Sequence, residues 1–180
     1  MNKLLLIIVF LISIFIHSQE LKYVEVVSVD PNITKDELYN RARSWIGRNF
    51  NRKKSSVDIE DKAAGELVAS GTIDYRKRKS YYGASCVEGP VKLTLSIFVK
   101  DGRYKYVFHS FVHQGSKGFS CKNTDYGLIT TAEKAPQPSW GNPKDIAWED
   151  IKEFIKDSVE LNVSDLKQEM NKPSDTDNNW

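Results

Sequence analysis

The stretch VKLTLSIFVKDGRYKYVFHSFVH, Val91 to His113, decides the fold. Two alternating runs flank Asp101-Gly102, a pair favoured in two-residue hairpin turns because both central positions take positive φ. The turn sets the register. Lys100 faces Arg103, Val99 faces Tyr104, Ile97 faces Tyr106, Leu95 faces Phe108 and Val91 faces Val112. Every pair beyond the closing one is apolar, so this side of the ribbon belongs to the core. The same register places Phe98, Val107, His109, Phe111 and His113 on the opposite side.

Upstream, ELVASGTIDY (Glu66 to Tyr75) alternates again. Leu67, Ala69, Gly71, Ile73 and Tyr75 share one face, the expected core face, and Val68, Ser70, Thr72 and Asp74 the other. Turn-like residues Asp61 to Gly65 separate it from a short strand, VDIED. Further back, ITKDELYNRARSWIGRNF (Ile33 to Phe50) opens with a capping box, Thr34 with Glu37. Leu38, Ala42, Trp45, Ile46 and Phe50 form one helical stripe, and Arg41, Arg43 and Arg48 lie off its middle. The aromatics should therefore pack inward and the arginines face water. LKYVEVVSV, Leu21 to Val29, reads as a first strand closed by Asp30-Pro31-Asn32.

Downstream, a polar loop containing prolines leads to a helix expected to begin near Asn142-Pro143, proline suiting a first helical position. Trp148, Ile151, Ile155, Val159, Leu166 and Met170 give it an apolar stripe, with a break expected near Asn162 to Ser164. It should cover the sheet beside the first helix. The order is strand, helix, four strands, helix, an α+β arrangement.

Residues 1–18, MNKLLLIIVFLISIFIHS, have a charged start, a greasy centre and small or polar residues at the end, the order of a secretory signal peptide. The apolar run of about 13 residues is shorter than the ~20 a spanning helix needs, so cleavage near Ser18 is expected, with no transmembrane span in the mature chain. The formal charge of +2 falls to +1 without Lys3, leaving no global field to recruit nucleic acid. Residues 21–170 are expected to form one domain, and 171–180 (NKPSDTDNNW) a disordered tail. The two cysteines, Cys86 and Cys121, are even in number in an exported chain, which suggests a disulfide. The hairpin register agrees, since it brings Cys86 level with Lys117 and Cys121 level with Tyr82 at the open base of the hairpin, where loops can close the gap.

The segments TKDELYNRARSWIGRNF, DKAAGELVASGTIDY and LTLSIFVKDGRYKYVF, in this order of elements, resemble an uncharacterised bacterial exported family described as a domain of unknown function with a TBP-like fold. The resemblance covers about Val24 to Val112. It implies a five-stranded curved antiparallel sheet with two helices packed on one face, the convex one. It brings no catalytic residues with it, and the TBP-like fold does not carry DNA binding. The loop RKRKSYYGASCVEGP and the cysteine pair depart from the plainer members.

His109 and His113 sit four residues apart on one strand, about 13 Å, too far to share a metal. No metal or cofactor site is expected. Arg76, Lys77, Arg78 and Lys79, followed by Tyr81 and Tyr82, are the nearest thing to an anion-binding patch, or else a solvated loop. The expected function is non-catalytic binding through the open face of the sheet, at Phe98, Val107, His109, Phe111 and His113. The partner would be an unknown envelope protein or glycan, unless the chain's own loop Thr124 to Gly141 covers that face. The alternative is a small hydrolase or thiol enzyme that uses Cys86 or Cys121 with a histidine, or Ser110 beside one.

Overall fold

The structure, a computed structural model, describes residues 19–50, 56–117, 121, 124–136 and 144–172. The expected signal peptide and nearly all of the expected tail lie outside these residues, as does the helix start near Asn142-Pro143. The chain runs through β1 (Tyr23–Ser28), α1 (Lys35–Asn49), β2 (Ser56–Asp61), β3 (Glu66–Tyr75), the four-residue α2 (Ala84–Val87), β4 (Gly89–Lys100), β5 (Arg103–His113), β6 (Gly127–Leu128) and α3 (Lys144–Met170). The strands form one antiparallel sheet in the order β1-β5-β4-β3-β2. The two-residue β6 adds a sixth strand beside the far end of β5.

The hairpin forms in the expected register as far as Thr94 opposite His109. Among the described residues positive φ falls on Gly102 but not on Asp101, so the turn is not the one in which both central residues are left-handed. Asp101 has a different task. Its carboxylate accepts the Lys35 amide of α1 at 2.6 Å, beside the Thr34 cap, which accepts from Glu37 N. Gly102 lies so close to Pro31 that a Cβ would come within 2.9 Å of its Cα. The hairpin tip and the β1–α1 turn are thus built against each other.

Both long helices cover one face of the sheet. The Trp45 indole donates to Asp165 at 2.8 Å, and Arg41 donates to the Met170 carbonyl at 2.6 Å, tying α1 to α3. Beneath them Leu67, Ala69, Leu95, Ile97, Tyr104 and Phe108 join Trp45, Trp148, Ile151 and Ile155 in a single buried cluster. The expected break in α3 does not occur. Asn162 donates to the Ser158 carbonyl at 2.7 Å and the helix is continuous over 27 residues.

The sheet departs from its expected register at one point. Between Thr94 and Lys92 the pairing shifts by one residue, so that Lys92 faces Val112 and Val91 faces His113. The extra residue makes a β-bulge at Ser110, which takes φ 56°. Glu20, at the start of the described chain, holds it there, accepting from Ser110 N at 2.6 Å and from Ser110 Oγ at 2.9 Å. Past a bulge the side chains exchange faces. Phe111 and His113 therefore belong to the core, fully buried, and not to the open face.

Candidate functional site

The face without helices carries a row of apolar side chains interrupted by Ser96. Strand pairing sets Val24 of β1 beside Val107 of β5, then Ser96 of β4, Val68 of β3 and Ile59 of β2. The next row, toward the hairpin tip, is Val26, Lys105, Phe98, Glu66 and Asp61. Val26 is 60% exposed and Phe98 37%. Of the residues expected here, Phe98, Val107 and His109 are present. Val24, Val26 and Ile59 belong to the site as well. Their signal was the alternation of YVEVVS and VDIED, but the outward face of an edge strand is fixed only once its neighbour is known.

The row beyond the apolar one, around His109 and Thr94, is polar. His109 lies between Ser96 Oγ (3.3 Å from Nε2) and Ser110 Oγ (3.0 Å from Nδ1). Burial moves its pKa below the usual histidine value, against the opposing pull of Glu20. Ser110 spends its hydroxyl on Glu20, so these groups brace the bulge. His113 sits on the other side of the sheet. Its Nε2 donates to the Val87 carbonyl at 2.8 Å, its Nδ1 accepts from Tyr126 N, and burial lowers its pKa. The two histidines thus face opposite ways. Cys86 and Cys121 form a disulfide with Cα atoms 5.2 Å apart, leaving neither sulfur as a thiolate for the alternative enzyme.

Three cations of the basic run are ion-paired, while Lys77 is exposed and enters no ion pair among the described residues. Arg78 pairs with Asp157 at 2.6 Å and lies over the Phe154 ring, Lys79 pairs with Glu149 and Glu153, and Arg76 pairs with Glu88. The loop backbone is held from below by buried Asp150, whose Oδ2 accepts from Tyr75 Oη at 2.5 Å and Arg78 N at 2.9 Å. Burial and then this bond raise the Tyr75 pKa far above its ordinary value. Tyr81 packs against the core, and Tyr82 is 95% exposed. The described part of the loop expected over the open face goes elsewhere. Tyr126 and Ile129 enter the core, and the Ala132 carbonyl accepts from the Trp148 indole.

Among the described residues, two cavities beside the sheet bear on the site. One, about 130 Å³, lies between the helices and the sheet, lined by residues that include Phe50, Leu93, Phe108 and Val159. The other, about 380 Å³, is a depression at the hairpin end of the open face, lined by Val26, Phe98, Lys100, Arg103, Tyr104 and Lys105.

This curved-sheet, two-helix arrangement is a TBP-like α+β fold. The family model for a domain of unknown function (DUF4468) with TBP-like fold matches residues 23–114, and the chain belongs to that family. Among solved structures, the chain is similar to a TBP-like protein from Parabacteroides distasonis (15% identity, 82% of this chain and 93% of that one, TM-score 0.61). It is also similar to a DUF4468 family protein from Bacteroides ovatus (12% identity, 87% and 89%, TM-score 0.57). At these identities the likeness speaks for the fold alone. No curated protein matches the chain.

Proposed function

We propose that this is an exported envelope domain, residues 21–170, that binds a protein or glycan of the cell envelope through the open face of its sheet, without catalysis. The composition of residues 1–18 supports export, with cleavage near Ser18 and release to the periplasm, the outer envelope or the medium. The disulfide supports it too, since such bonds persist in oxidising compartments. The observation that carries the binding reading is the row Val24, Val107, Val68 and Ile59, interrupted by Ser96, with Phe98 beside it. A solvated sheet face ordinarily alternates to polar side chains, and apolar side chains gathered on one open face mark an interaction surface.

The test is photo-crosslinking in the native host, with a benzophenone side chain at Val107 or at Leu161, an exposed residue of α3. A discrete adduct at 107 and none at 161 is expected. Equal labelling at both positions, or none at 107, refutes the reading.

A further inference from the structure

We propose that the depression at the hairpin end of the open face binds a single-chain anionic amphiphile, with the chain lying on Phe98 and Val26 and the carboxylate held by Lys100, Arg103 and Lys105. The proposal rests on the open face being the binding surface and narrows it to one ligand class.

Four observations converge. First, the cations and the apolar residues alternate on one face: Lys105 is flanked by Val26 on β1 and Phe98 on β4, while Lys100 faces Arg103 across the turn. Each apolar side chain therefore has a positive neighbour. Second, the three cations are unneutralised. Among the described residues none of them enters an ion pair, whereas Arg76, Arg78 and Lys79 all do. The adjacent Asp101 carboxylate is engaged by the α1 amide. Third, the depression of about 380 Å³ is within the ~300–1,000 Å³ common to small-molecule sites. Fourth, Lys105 Nζ stands 5.9 Å from the Phe98 ring centroid, so an ammonium already borders the apolar floor.

The surroundings favour one small anion over a bilayer. Glu66 pairs beside Phe98 and Asp61 beside Glu66, so the positive patch ends at β3, and a flat anionic membrane would meet those carboxylates as well. Segments that hold anionic lipid surfaces carry about 4–8 cations, and this site has three. The long lysine stems can lie along a hydrocarbon chain while their heads reach its carboxylate.

The test is calorimetric titration of the purified, disulfide-bonded protein with dodecanoate kept below its micelle concentration, alongside ¹H–¹⁵N spectra. Saturable binding is expected, with amide shifts at Val26, Phe98 and Lys105. Dodecanol, with the same chain and no charge, should bind at least tenfold more weakly. So should dodecanoate to the Lys100→Glu/Arg103→Glu/Lys105→Glu variant and to Phe98→Ser, each checked for an unchanged melting temperature. The proposal is overturned by equal binding of dodecanol, by shifts confined to Phe50, Leu93 and Val159, or by no saturation at millimolar dodecanoate. Tighter binding of an acidic apolar peptide or of phosphatidylglycerol vesicles also overturns it. If crosslinking at Val107 succeeds while dodecanoate fails, the ligand class falls and the binding face stands.

Discussion

Two clusters of positive charge among the described residues differ in what faces them. Arg76, Arg78 and Lys79 are close together in sequence, yet they meet acidic partners, among them Glu149, Glu153 and Asp157, spaced four residues apart along α3, and their charge is paired at the surface. Lys100, Arg103 and Lys105 are dispersed at alternate strand positions around a turn, yet they emerge on one face beside exposed Phe98 and Val26. Contiguity in sequence is therefore a poor guide to an available field, because a loop lies against whatever element receives it. Alternate positions on a strand are forced to one side. The first cluster should behave as structure and the second as surface.

Around the first cluster, the largest effect should come from the disulfide that closes the loop beyond it. Replacing Cys86 and Cys121 by serine releases a closure spanning 35 residues, and the expected loss is about 3–4 kcal/mol by chain-entropy reasoning. Urea unfolding with and without the bond measures it. A loss under ~1 kcal/mol would mean that this region is not fastened to the body as described. Next comes Asp150→Ala, which strands the buried Tyr75 hydroxyl and removes the acceptor of the half-buried Arg78 amide. An unpaired buried group costs about 1–3 kcal/mol, so a loss of about 2–3 kcal/mol is expected. Dodecanoate binding at the hairpin should be unaffected.

The same contrast shows what could be read from the sequence. The hairpin, the Thr34 cap, the helix stripes and the cysteine pair are legible because each rests on local periodicity or on a register carried outward by a few residues. The bulge is not, since Glu20, 90 positions away, accepts both the Ser110 amide and hydroxyl. Serine also lacks glycine's signal for positive φ. A trace was available in the spacing of Phe108 and Phe111, two core aromatics three apart where strict alternation allows two or four. That missed residue moved Phe111 and His113 from the proposed site into the core. The availability of charge was illegible for a related reason, since which cations are neutralised depends on helix–loop packing across 70 to 79 residues of sequence.

His113, on the core side of the bulge, gives a smaller effect that depends on pH. Burial lowers its folded pKa below the unfolded value near 6.5, with the Asp125 carboxylate opposing. The unfolded chain then binds more protons, so stability is full above pH 6.5 and declines as pH falls through the folded pKa. The slope should approach, at most, about 1.4 kcal/mol per pH unit for one histidine. His109 is shifted in the same direction. The glutamates with lowered values, Glu20, Glu25 and Glu169, act at more acidic pH. Between pH 7.5 and 5, His113→Gln should flatten most of the decline in urea-unfolding stability. An unchanged slope would return the histidine to an exposed position.

The smallest stability effect should fall on the second cluster, and its smallness is informative. Phe98 is more than one-third exposed, and Lys105 has no ion-pair partner among the described residues, so both act on the folded state chiefly through solvent-facing contacts. Surface substitutions away from caps, buried networks and the core change stability by about 0.5 kcal/mol or less. Phe98→Ser and Lys105→Glu should each stay within that range, although Phe98→Ser removes a large apolar group from the hairpin end of β4. The same change at Phe111, only one residue past the bulge, should cost about 3–5 kcal/mol as a cavity in the core. Measuring the two serine variants side by side tests the face exchange directly. A loss of several kcal/mol from Phe98→Ser would mean that something packs over the open face, whereas a neutral Phe111→Ser would mean that the β5 register runs through Ser110 without a bulge.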